Sequence, residues 1–170
     1  TDGRVATFDL DGEGSLAVWF STVTLLFASL ASTLVYVLHS RETHARRLWL
    51  VGAVCWLVMS IDESASLHEA FKELMSHTTG TRIVHDGTIW WVAAYFLVLA
   101  TTGCCLLWKM RKSRDAAVAF VATAVFYAVA VACEMRWILT KDRAGIMVEE
   151  GCEMLGNFCL LTAMLLYVRH

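Results

Sequence analysis

LWLVGAVCWLVMSIDESASLHE, residues 48–69, is the stretch whose reading decides the fold. Leu48 to Ile61 is an uncharged run of only 14 residues. A helix that crosses a hydrocarbon core needs about 20 mostly apolar residues. To reach that length the helix must run on through Asp62 and Glu63 to about Leu67. The length requirement therefore carries Asp62, Glu63, His68 and Glu69 to the membrane edge. Ionisable groups in such a place are costly, so they face a protein interior or a wet mouth and have a task.

The rest of the chain agrees with a membrane setting. It is 58% hydrophobic and 18% charged, with a mean hydropathy of +0.57. Soluble domains carry about 25% charged residues. The net charge of -2, with no basic stripe, excludes a nucleic-acid partner. Cys55, Cys104, Cys105, Cys133, Cys152 and Cys159 all lie in apolar runs and read as small buried hydrophobes. Cys133 with Cys152 is the pair to examine for a disulfide. There is no proline, so no proline kink is expected. The chain opens without Met and closes at Arg169-His170 directly after an apolar run, so further residues are expected at both ends. The first apolar run is too long for the h-region of a signal peptide.

Outward from the central stretch, four more runs have span length. Ser15 to Leu38 is uncharged, with Ser15 placed to cap the helix start. Gly87 to Trp108 has Trp90 and Trp91 at one end and Trp108 at the other, an aromatic belt at each interface. Ala116 to Cys133 is followed by Glu134, Arg136 and Trp137. Ile146 to Val168 contains Glu149, Glu150 and Glu153, so this span too must include acids. Thr78-Thr79-Gly80 reads as a helix stop and Lys141 to Gly145 as a loop. The expectation is an all-α polytopic membrane protein, a five-helix bundle with spans at about 15–39, 47–68, 87–109, 115–137 and 147–168. Residues 1–14 form an acidic segment before it, and residues 15–170 a single domain.

The basic residues set the orientation. Arg41, Arg46 and Arg47 follow the first span, Lys109 to Arg114 the third, and Arg169 the fifth. By the positive-inside rule these places are cytoplasmic, so the N-terminus lies outside and the C-terminus inside. Lys141, Arg143 and Arg136 run against that rule. The orientation gathers acids at the outward mouth: Asp62, Glu63, His68, Glu69, His85, Asp86, Glu134, Glu149, Glu150, Glu153, and Asp9, Asp11 and Glu13 before the first span. Helical spacing puts Asp62, Ser66 and Glu69 on one face, and Glu149, Glu153, Gly156 and Asn157 on another. Asp9 to Gly14 matches the first half of an EF-hand loop, but position twelve is Phe20 and the match fails.

Crowded carboxylates need a cation, basic partners or shared protons. Three readings follow. Asp62, Glu63, His68, Glu69, Glu134 and Glu153 are candidate ligands of a divalent metal, zinc, iron, manganese or calcium, suited to oxygen and imidazole donors. Such a metal also opens the way to a metal-dependent membrane enzyme. Alternatively the acids form a solvated rim, paired with Arg136, Lys141 and Arg143, on a non-catalytic subunit packed against a larger membrane complex or a second copy. Ala28, Ser29, Ala31 and Ser32 would then supply a small-residue lipid face. The third reading is a proton or cation pathway, which the lack of carboxylates in the inner half opposes. No span carries a central His or any Lys, so neither haem nor retinal is expected.

Two resemblances bear on this. Ser64-x-x-x-His68 near an acid resembles the alkaline ceramidase and adiponectin-receptor superfamily, but that family's seven helices and later His-x-x-x-His pair have no counterpart here. Phe8 to Glu13, Trp19-Phe20-Ser21, and Asp62-Glu63 through His68-Glu69 are similar to a set of uncharacterised small bacterial membrane proteins. That resemblance covers most of the first 70 residues. It implies a multi-pass protein of the bacterial cytoplasmic membrane and no established activity.

Overall fold

The computed structural model describes residues 15–38, 43–83, 87–140 and 142–170. Among them are six α-helices and no strand: α1 (Leu16–Leu38), α2 (Thr43–Ala65), α3 (Leu67–Thr79), α4 (Ile89–Met110), α5 (Arg114–Glu134) and α6 (Arg143–Val168). All but α3 are long and apolar enough to cross a membrane. Residues 1–14, with Asp9, Asp11 and Glu13, lie outside the described residues, as do Arg41, His85, Asp86 and Lys141.

Helix α1 packs between α2 and α6, α6 packs on α5, and α4 bridges α2 and α5. Their inner faces enclose Leu25, Val35, Trp56, Leu106, Met110, Phe120, Leu160 and Met164. Large apolar side chains such as Phe27, Leu30, Phe96, Leu97, Val118 and Val125 are exposed around the outside. A soluble protein does not expose so much contiguous apolar surface, and lipid accounts for it.

The small-residue stripe of α1 faces inward, contrary to its expected place on the lipid face. Ala28, Ser29, Ala31 and Ser32 are all buried. Small side chains let backbones approach, and polar ones then bond across the gap. The Ser29 hydroxyl donates to the Ala53 carbonyl at 2.7 Å, and Ser60 on α2 donates to the Thr22 carbonyl at 2.8 Å. Ser32 donates to its own helix at Ala28 (2.9 Å) and lies 3.1 Å from the Met164 sulfur on α6.

The expected single span over 47–68 is two helices. Ser66 sits in the left-handed region at φ 49°, ψ 42°, and the chain turns there from α2 into α3. Its carbonyl accepts from Glu69 at 3.1 Å and Ala70 at 3.2 Å, restarting the helix at once. Asp62, Ser66 and Glu69 therefore do not share a helix face. Helix α3 stops at Gly80, at φ 66°, where the sequence places the stop.

Two other boundaries differ from expectation. Asp142 caps α6 by accepting from the Gly145 N–H at 2.8 Å, so α6 starts at Arg143 rather than 147. A Cβ on Gly145 would lie 2.0 Å from the Thr140 carbonyl oxygen, which fits glycine to this turn. Helix α5 ends at Glu134, three residues earlier than expected. Arg136 is left-handed at φ 56°, its N–H bonds to Cys133 at 2.8 Å, and Trp137 bonds back to Ala132 at 2.9 Å. That is a Schellman cap with arginine where glycine is usual.

Candidate functional site

Polar side chains converge where α2 and α5 end and α4 and α6 begin. Asp62, near the end of α2, is 6% exposed. Its Oδ1 accepts from the backbone N–H of His68 at 2.6 Å and lies 3.1 Å from His68 Nδ1. Its Oδ2 accepts from the Tyr95 hydroxyl on α4. The turn at Ser66 makes this possible, because it folds the start of α3 back over the end of α2. Trp91 completes the group, with its ring 5.1 Å from the His68 ring and edge-on to Tyr95 at 5.7 Å.

Both oxygens of Asp62 are engaged by these partners, so this carboxylate is part of the wall. His68 has its pKa moved by several neighbours. Burial pulls it down, but the hydrogen bond and charge of Asp62, with the charges of Glu69 and Glu63, push it above the ordinary histidine value. The protonated ring is thus favoured beside Asp62.

Glu63, the next residue, points elsewhere. It reaches Ser21 on α1 and feels the charge of Glu150 on α6. Glu153, nearly three turns into α6, is half-buried. The charges acting on it include those of Glu63, Glu150, Glu149 and Glu134. Glu134 accepts from the Thr88 hydroxyl at 3.1 Å, tying the end of α5 to the start of α4. Deeper in the bundle, the Tyr127 hydroxyl of α5 donates to Asn157 of α6, and Asn157 is buried.

Of the residues expected to gather, the structure joins Asp62 to His68 directly and brings Glu63 and Glu134 each within electrostatic reach of Glu153. Glu69 is apart. It is about half exposed and pairs with Lys72 at 2.5 Å, while His68 Nε2 lies 3.8 Å away. Among the described residues, no three His, Cys, Asp or Glu side chains form a ready-made metal group. Cys133 and Cys152 both carry free thiols. Arg136 and Arg143 are exposed.

Tyr95 and Tyr127 are the members that sequence reasoning missed. Both lie inside uncharged runs, and attention to charges passes over them. The available signal was their depth: tyrosines of an aromatic belt sit at span ends, and a phenol far from the ends needs a partner inside.

The chain is thus an all-helical protein with five helices suited to crossing a membrane and a carboxylate cluster at one end of them. It belongs to the family described as Domain of unknown function (DUF8692), whose model matches residues 2–168. No curated protein and no solved structure matches it.

Proposed function

We propose that this chain is a multi-pass protein of a bacterial cytoplasmic membrane that binds a metal or other cation at an outward-facing acidic mouth. The basic residues Arg46, Arg47, Lys109 to Arg114 and Arg169 support an orientation with the opposite end in the cytoplasm and the N-terminus outside. The observation that carries the reading is the setting of Glu153, with the charges of four other carboxylates acting on it. Such a group in a poorly solvated place stays ionised only with a cation beside it. Glu63, Glu149, Glu150 and Glu153 would supply hard oxygen ligands, which suit calcium or manganese. Asp62, His68 and Tyr95 would hold the neighbouring wall.

Binding fits better than conduction. The buried core of the bundle holds Leu25, Trp56, Leu106, Phe120, Leu160 and Met164, an apolar cluster with no carboxylate in it among the described residues. A relay needs groups on both sides of the barrier.

The test is elemental analysis and calorimetric titration with calcium, manganese and zinc on the detergent-purified chain, beside Glu63→Gln and Glu153→Gln. A near-stoichiometric cation that is lost in both variants supports the reading. No bound cation in the parent, with both variants equally stable, overturns it.

A further inference from the structure

Helix α3 has three faces, and its apolar one is the one left bare. Leu67, Phe71 and Leu74 recur at helical spacing and are 47%, 38% and 61% exposed. The face packed against the protein is polar: Lys72 and Ser76 are buried, and His68 is held by Asp62. The third face carries Glu69, Glu73 and His77, all exposed. A helix on a soluble protein does the reverse, packing its apolar face and wetting its polar ones.

The height of α3 is set at two points. At its start, the Asp62–His68 contacts fasten it to the end of α2. Further along, Gly87 just before α4 sits under it. A Cβ there would come within 2.6 Å of Ser76 Oγ and 3.4 Å of Lys72 Cγ. Both points lie where spans leave the bilayer, given that α2 and α4 cross it. On α2, Val54, Val58 and Ile61 form an exposed apolar stripe that leads along the chain toward Leu67. At about 1.5 Å per residue, Leu67 to Leu74 carry that apolar surface on by roughly 10 Å.

We propose that α3 is an interfacial helix. It lies along the outer surface of the bilayer with Leu67, Phe71 and Leu74 at the boundary of headgroups and acyl chains. The occupant of this face is lipid, because the helix sits where protein, lipid and water meet and has one face chemically matched to each. Glu69 and Glu73 face water, and Glu73 pairs with Arg82 at 2.8 Å on that side.

The experiment places the photo-reactive residue benzoylphenylalanine at one position at a time in the full chain, reconstituted in phosphatidylethanolamine–phosphatidylglycerol vesicles. The variants are Leu74→benzoylphenylalanine, Glu73→benzoylphenylalanine, and Phe96→benzoylphenylalanine as the span control. Mass spectrometry after illumination is expected to find lipid adducts at 74 and 96, with those at 73 reduced at least fivefold. Lipid adducts at 96 but not at 74, or protein–protein adducts at 74, would overturn the proposal. Failure at 96 as well would remove the membrane reading on which it rests.

Discussion

Asp62 and His68 are joined twice across the break at Ser66, by the backbone N–H of His68 at 2.6 Å and by its ring Nδ1 at 3.1 Å from the same carboxylate oxygen. A six-residue separation does not bring two side chains together on one continuous helix. The left-handed turn at Ser66 and the buried charge of Asp62 therefore depend on each other. The turn presents the donors, and the carboxylate offsets the cost of the turn, about 1–2 kcal/mol for a non-glycine residue.

Removing the carboxylate tests that dependence. Asp62→Ala leaves the His68 N–H, the His68 ring and the Tyr95 hydroxyl without their acceptor, and a loss of roughly 3–5 kcal/mol is expected. Asp62→Asn retains an acceptor oxygen but not the charge, and roughly half that loss is expected. Thermal unfolding in detergent, followed by circular dichroism, ranks the three proteins. Equal melting temperatures for all three would show that Asp62 does not hold the turn.

The same pair predicts a pH dependence. His68 titrates above the ordinary value of about 6.5 in the folded protein. The groups facing it are Asp62 and Glu63 from α2, Trp91 from α4, and Glu69 on its own helix. Because its folded pKa is raised, its contribution is complete below about pH 6.5 and is lost as pH rises through the raised value. Hydrogen exchange over residues 67–75, corrected for intrinsic rates, is expected to show less protection at high pH than at low. His68→Gln should flatten that profile. A slope unchanged in the variant would assign the pH dependence to another group.

Five span-length helices were legible in the sequence because bilayer thickness fixes their length and the uncharged runs declare it. The break at Ser66 was not. Neither proline nor glycine marks it, and the contact from His68 to Asp62 that accompanies it is seen only in the folded chain. The inward face of α1 was illegible for a related reason. Small residues suit helix contact wherever they lie, and only packing tells whether Ala28 and Ser32 meet lipid or another helix. At the candidate site, Asp62, Glu63, Glu134 and Glu153 stood out by their charge, whereas Tyr95 and Tyr127 were hidden in apolar runs.

Gly156 makes the contact of α5 with α6 close enough for the Tyr127–Asn157 hydrogen bond. A Cβ at this position would meet Tyr127 Cε1 at 3.0 Å and Cδ1 at 3.1 Å, with Phe126 Cβ at 3.5 Å. Gly156→Ala must displace the ring, and a cost of about 1–3 kcal/mol is expected. Gly151, on the same helix, has nothing within 4 Å of a built Cβ. Gly151→Ala is therefore expected to be neutral or to gain up to about 1 kcal/mol from helix propensity. Comparable melting temperatures for the two variants would show that α5 and α6 are not closely fitted at Gly156.

Arg136 occupies a position that its backbone assigns to glycine. At φ 56° it serves as the left-handed residue of the cap on α5, with its side chain exposed. If conformation alone governs the site, Arg136→Gly relieves the strain at the cost of a more flexible unfolded chain, and a net gain of up to about 1 kcal/mol is expected. If the guanidinium instead offsets the charge of Glu134 and the acids of α6, the same change removes a needed cation and lowers stability. Arg136→Lys is the control. It keeps the charge and the strain together, so it should match the parent under either account. The geometry of the cap favours a gain in Arg136→Gly. A fall there, rescued in Arg136→Lys and diminishing with added salt, would instead make Arg136 an electrostatic partner of the acidic mouth.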